Sequence, residues 1–226
     1  MGGNASKDIN EIWQSENIIY SNKILTLCEK HKTKHFIGLG SSAEFGDYSE
    51  IFNEESKCIP LSMYGISKYS FKLISENFCK KNNIKHTWIR PVYTYGPYDV
   101  ETRIIPKSIL YFLNNKDLLL NKCAPIIDYL YVEDFCKALE DIIFYQLEGS
   151  YIISSNQRVQ VKNVIEKIYD IIKPDCKLIF DENIVDTSPQ MICGNSYKIT
   201  NLTKWKPLIS LDEGLEKTIS YFKQRV

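Results

Sequence analysis

Hydrophobic positions switch between two spacings along the first half of this chain. Ile9, Ile12, Trp13, Ile18, Ile19, Ile24, Leu25 and Leu27 recur with helical spacing, so residues 8–30 are predicted to form a helix with a broad apolar face. KHFIGLGS follows, a short apolar run ended by glycines, which suits a buried strand. Residues 47–62 are rich in charge and serine and read as loop. Helical spacing returns at 64–82, and HTWIRPV at 86–92 is a second strand, closed by the Tyr-Gly-Pro turn at 95–97. Strand, long helix, strand at this spacing is a βαβ unit, which predicts a parallel sheet.

The second half is more mixed. Helical spacing occurs at 103–114, 133–146, 160–173 and 211–223, with short strand candidates at 117–120, 127–132, 151–154 and 177–180. Ser210 followed by Glu213 predicts a capping box at the start of the last helix. Glu133 and Asp134 suit the positive end of the helix they open. Tyr129 and Tyr131 alternate with Leu130 and read as packing residues. No repeat or linker divides the chain, so residues 1–226 are expected to fold as one unit.

Composition narrows the partners. Lys plus Arg and Asp plus Glu both number 28, and the resulting zero net charge leaves no electrostatic footprint for nucleic acid or an anionic membrane. The seven cysteines form no C-x-x-C pair and no histidine stands at metal-ligand spacing, so no metal site is expected. Scattered through helix and strand patterns, they read as reduced thiols. With no long apolar run, the expected location is the cytoplasm.

The candidate chemistry lies between Gly40 and Lys68. GSSAEFG places the hydroxyls of Ser41 and Ser42 just after the first strand, and PLSMYGISK places Tyr64 and Lys68 one turn apart at the start of a helix. Tyr-x-x-x-Lys alone is weak, since roughly one or two chance matches are expected in a chain this rich in both residues. Tyr169 and Lys173 are such a match, inside an amphipathic helix without a neighbouring hydroxyl pair. Context separates the two. A phenol of pKa near 10 is too weak an acid to shuttle protons at neutral pH, and a lysine beside it is expected to favour the phenolate. A serine at the strand end can hold the same substrate oxygen.

GSSAEFG, PLSMYGISK, IRPVYTYGP, IDYLYVEDF and KITNLTKWKPLISLDEGLEKTI, in that order, resemble the extended short-chain dehydrogenase/reductase family, and within it the nucleotide-sugar epimerases, dehydratases and 4-keto reductases. The resemblance implies a Rossmann-like doubly wound parallel sheet over about residues 1–100 and a small mixed α/β substrate lobe over about 101–226. It implies a catalytic trio of Ser41, Tyr64 and Lys68, with Ser42 as the alternative hydroxyl. Asn22, Tyr64, Lys68, Arg90 and Pro91 would border NAD or NADP, and Ser41, Ser42, Ala43 and Tyr93 the nucleotide-diphosphate sugar. The helices at 8–30 and 64–82 resemble the pair through which family members dimerise.

Departures from the family pattern carry expectations of their own. MGGNASKD resembles the stretch after the family's fourth strand, so the first strands and the glycine-rich GxxGxxG turn that seats the pyrophosphate are expected to be missing; Gly2-Gly3 and Gly38-x-Gly40 lack the strand–turn–helix context to replace them. Ser42 and Ala43 stand where dehydratases carry acidic residues, which points away from 4,6-elimination and toward epimerase or keto-reductase chemistry. Tyr93 replaces a family asparagine and Ile127 a family arginine, both diphosphate contacts. The rival expectation is a non-catalytic or partner-dependent module unable to hold a dinucleotide alone, its missing strands supplied by a partner chain.

Overall fold

The computed structural model describes residues 12–46, 50–185 and 190–225. A 3-10 turn at Ile12–Ser15 leads into α1 (Glu16–Lys30), and the predicted residues 8–11 lie outside the described ones. β1 (His35–Leu39), α2 (Met63–Lys81) and β2 (Lys85–Pro91) follow, the two strands paired in parallel from His35↔Lys85 to Leu39↔Ile89. After β3 (Tyr93–Tyr95) come α3 (Ile104–Leu113), β4 (Leu118–Leu120), β5 (Ile126–Ile127), β6 (Tyr129–Tyr131) and α4 (Val132–Phe144). β7 (Gly149–Ile153) lies parallel along the other side of β2, so the sheet order is β1-β2-β7. The chain ends with β8 (Val159–Gln160), α5 (Val161–Ile172), β9 (Leu178–Phe180), β10 (Met191–Ile192), α6 (Tyr197–Thr203) and α7 (Leu211–Lys223).

Alternation along the strands sends side chains to both faces of this sheet. Phe36 packs with Leu25, Cys79 and Ile84 from the α1 and α2 side. Ile89, Tyr151 and Ile153 pack with Ala138 and Ile142 of α4 and Ile199 of α6 on the other. Helices on both faces of parallel strands make the arrangement a doubly wound α/β one. A second cluster unites Ile105, Ile109 and Phe112 of α3 with Ile165 and Ile168 of α5 and Leu215 and Ile219 of α7.

His86 shows how tightly the first face is built. Its ring stacks between Phe36 (centroids 5.8 Å) and Trp88 (6.2 Å), with Ser75 Oγ 2.9 Å from Nε2. Burial holds its pKa down at about 4, with nearby Lys72 and His35 adding to the effect and Glu76 opposing it. A base whose folded pKa is depressed stabilises the fold above its unfolded value of about 6.5 and loses that contribution as pH falls toward 4. Urea unfolding at pH 7.5 and pH 5 should therefore show a drop in the wild type that is smaller in His86→Phe, where His35, also lowered by burial, still contributes; equal drops would rule out His86 as a source.

Differences from the sequence reading are local. β3, β8, β10 and α6 were not anticipated, and each is too short to show a period. Only half of the predicted capping box forms: Ser210 Oγ accepts from Glu213 N (3.2 Å), while the Glu213 carboxylate pairs with Lys217 (3.1 Å). The loop before α2 is anchored midway by a parallel bridge, Phe52↔Gly194, where Phe52 N donates to Cys193 O (3.1 Å) and Asn195 N to Phe52 O (3.0 Å). A Cβ on Gly194 would meet Ile152, Val92 and Phe52, so the bridge needs glycine there.

Candidate active site

β1 delivers the chain to Gly40, whose N–H donates to Ile89 O (2.7 Å). The Trp88 indole lies against Gly38 and Gly40, and a Cβ at either would overlap it; at Gly40 it would also overlap the Glu44 carboxylate. These glycines serve close approach of a side chain, which gives Gly38-x-Gly40 its physical reason.

Ser41 then turns extended (φ −159°, ψ 153°) and caps a 3-10 turn at Ser42–Glu44. Its Oγ accepts from Ala43 N (3.2 Å), and Glu44 Oε1 accepts from Ser41 N (2.8 Å), a reciprocal capping box. Glu44 is fully buried and also accepts from Trp88 Nε1 (3.0 Å) and Arg90 Nε (2.8 Å).

α2 is capped by Ser62, whose Oγ accepts from Gly65 N (3.1 Å). Gly65 sits directly on the Ala43 carbonyl, where a Cβ would collide with backbone. This contact sets the start of α2 against the serine turn and brings the Tyr64 hydroxyl beside the Ser41 side chain, whose hydrogen-bonding influence on the phenol favours the phenolate. Lys68 Nζ lies 5.8 Å from the Tyr64 ring centre and donates to Leu39 O (2.9 Å). The three side chains thus meet at the carboxyl end of β1, the edge where open parallel sheets bind their ligands.

The electrostatics differ from the sequence expectation in one respect. Burial is the largest influence on Tyr64 and raises its pKa, Glu44 raises it further, and the opposing influences are the Ser41 hydrogen bond and Arg103. Lys68 is itself lowered by burial, against a raising effect of Glu44. The phenol is therefore held in its protonated form. Desolvation outweighs the charge one helical turn away, and the sequence pattern carries no measure of desolvation.

Other anticipated residues lie as follows. Asn22 is exposed on α1, its carbonyl accepting from Thr26 Oγ1 (3.3 Å). Ser42 is buried and Ala43 half-buried in the serine turn, and Pro91 ends β2. Arg90 is 3% exposed and its guanidinium is committed to Glu44, with Cys58 Sγ at 3.6 Å and the Phe45 ring centre at 5.2 Å. Tyr93 lies under the Arg103 guanidinium (4.2 Å to the ring centre) and edge-on to Tyr129. Arg103, at the N-cap of α3, was not singled out by sequence; it also donates to Thr94 O (3.0 Å) and pairs with Asp99 (2.9 Å). The decoy pair is structural: Tyr169 donates to Cys176 O and packs on Phe112, and Lys173 is a left-handed helix cap.

The sequence profile of the NAD dependent epimerase/dehydratase family matches residues 2–144. The chain belongs to this family. A Bacillus subtilis member described as an uncharacterized UDP-glucose epimerase is 24% identical over 212 residues, covering 92% of this chain and 67% of its own length. A dTDP-D-glucose 4,6-dehydratase from Dictyostelium discoideum is also 24% identical, over 92% of this chain but 58% of the relative. The chain thus spans roughly three fifths of that curated relative's length. In fold it superposes on the UDP-glucuronic acid 4-epimerase of Bacillus cereus, solved with UDP-glucuronic acid and NAD, at a TM-score of 0.85 and 23% identity, covering 93% of this chain and 68% of that one. The Rossmann-like class of the family is therefore the fold of this chain.

Proposed function

We propose that this chain carries the catalytic and substrate-binding part of an NAD(P)-dependent nucleotide-sugar epimerase or keto-reductase. The observation that carries the reading is the meeting of Ser41, Tyr64 and Lys68 at one strand end. Two of the three Lys68 N–H donors have no acceptor among the described residues, which suits vicinal hydroxyls of a nicotinamide ribose. When bound, the nicotinamide would accept and return a hydride at a sugar carbon. Ser41 Oγ receives the Ala43 N–H, so its own proton is free to be donated toward the Tyr64 oxygen or a sugar oxygen lodged beside it. Tyr64, held protonated, supplies the proton a sugar keto oxygen takes up on reduction and recovers it in the reverse direction. The absence of carboxylates at Ser42 and Ala43 supports epimerisation or reduction over elimination.

One observation favours a second reading. The residues given contain no GxxGxxG, the turn that seats a dinucleotide pyrophosphate, so on this second reading the seat is supplied from elsewhere. On this reading the chain is a partner-dependent module. Titration with NADH and with NADPH, followed by fluorescence and calorimetry, separates the two: micromolar binding to the isolated chain supports the enzyme reading, and no binding at millimolar cofactor supports partner dependence.

We also propose dimerisation through α1 and α2. Ile19, Ile24 and Leu27 of α1 and Leu73 and Ile74 of α2 are exposed on adjoining helices. Sedimentation equilibrium should give a dimer that Ile24→Glu with Leu73→Glu converts to monomer; a monomeric wild type at high concentration would exclude this surface.

A further inference from the structure

Glu44 is a glutamate with no direct place in proton transfer, yet it touches most of the groups that build the site. Its carboxylate is wholly buried and accepts from three donors on two elements: the Ser41 N–H of the serine turn, and the Trp88 indole N–H and Arg90 Nε–H of β2. Arg90 is buried with it. Desolvation offsets most of what a buried ion pair gains, and apolar side chains of similar size often serve a fold as well or better. A stability role alone is thus a weak account of a carboxylate placed one turn from the reacting groups.

The geometry supplies a stronger one. Ser41 is held from both ends: Glu44 grips its backbone N–H, and Ala43 N–H occupies an Oγ lone pair. With those two contacts in place, the Ser41 hydroxyl keeps its own proton to donate. We propose that Glu44 is a positioning residue, its carboxylate locked by Trp88 and Arg90 so that the reciprocal cap holds Ser41 Oγ toward the Tyr64 phenol. The proposal rests on the reading of Ser41, Tyr64 and Lys68 as the catalytic trio.

The electrostatics agree with this role. Tyr64 is faced by Ser41 and Glu44 from the serine turn, by Arg103 from the start of α3, and by Lys68 from its own helix. Glu44 in turn is faced by Trp88 and Arg90 of β2, with Cys58 beside the guanidinium. Its charge adds to burial in raising the proton affinity of Tyr64 and works against burial at Lys68, so the same carboxylate that orients the serine also acts on both titrating groups.

The test uses the full chain without cofactor or substrate, labelled with [13Cζ]tyrosine and [13Cε]lysine. Tyr64→Phe and Lys68→Arg assign the two signals, whose titration midpoints are read by NMR. Glu44→Gln keeps an acceptor for Ser41 N–H but removes the charge, and is expected to lower both midpoints by about one pH unit. Glu44→Leu with Arg90→Met removes the cap and both charges. Ser41→Ala should raise the Tyr64 midpoint in the wild type and do so far less in the Leu/Met background, the signature of a coupled pair. An undiminished Ser41→Ala shift there, or unchanged midpoints in Glu44→Gln, overturns the proposal. If the Leu/Met protein does not fold, the Glu44→Gln midpoints decide; if neither folds, the pair serves stability alone and the proposal fails. Because no cofactor enters, loss of NADH binding or of turnover would count against the enzyme reading and leave this result standing.

Discussion

Tyr64→Phe is expected to lower turnover by about 10²–10⁴-fold, the usual contribution of a positioned general acid or base. The change removes one oxygen and leaves the ring, so the packing of the start of α2 is kept. What is lost is the hydrogen bond to Ser41 and the proton that the site delivers. A single such bond contributes about 1 kcal/mol, so the melting temperature should move by only a few degrees. The measurement is initial rate with UDP- and dTDP-sugars under conditions where the wild type turns over, paired with thermal unfolding. Retained rate in a folded variant would remove Tyr64 from the chemistry. The pH dependence has a defined sign: with burial raising the Tyr64 pKa, proton donation should persist into the alkaline range and fall only as the phenol ionises.

Gly65→Ala is expected to be nearly as damaging for a different reason. An added Cβ would meet the Ala43 carbonyl and Pro60, and backbone cannot swing aside as a flexible side chain can. The start of α2 must shift away from the serine turn, parting Tyr64 from Ser41. Displacement of about 1 Å at a reacting group can cost about 10²-fold in rate. Stability should change far less, because overpacking of about 1–3 kcal/mol is partly offset by the better helix propensity of alanine, about 1 kcal/mol. A rate loss near 100-fold with a small shift in unfolding midpoint is the expected split. Wild-type turnover in Gly65→Ala would show that this contact does not set the distance between the two hydroxyls.

Much of the fold is legible in the sequence because its long elements carry strong periods. α2 and α5 fall within two residues of their predicted spans, and the βαβ reading of β1, α2 and β2 matches their parallel register. The site was legible where chemistry is local: Tyr64 and Lys68 are one turn apart, and a strand-end serine precedes them. Arg103 escaped notice because its approach to Tyr64 comes from the packing of α3, which no spacing records. Glu44 carries no expectation in the sequence reading, although Ser41-Ser42-Ala43-Glu44 has the form of a capping box. The direction of the Tyr64 shift was misjudged because burial is a property of the assembled chain rather than of a four-residue interval.

The tie between Phe52 and Gly194 has a mechanical consequence. The segment that runs from the serine turn to the start of α2 is fastened, midway, to the strand end that follows β10, so the two ends of the proton path are not moored to one sheet alone. A residue larger than glycine at 194 would meet Ile152, Val92 and Phe52 and so undo the tie, loosening the only stretch of chain that joins Ser41 to Tyr64.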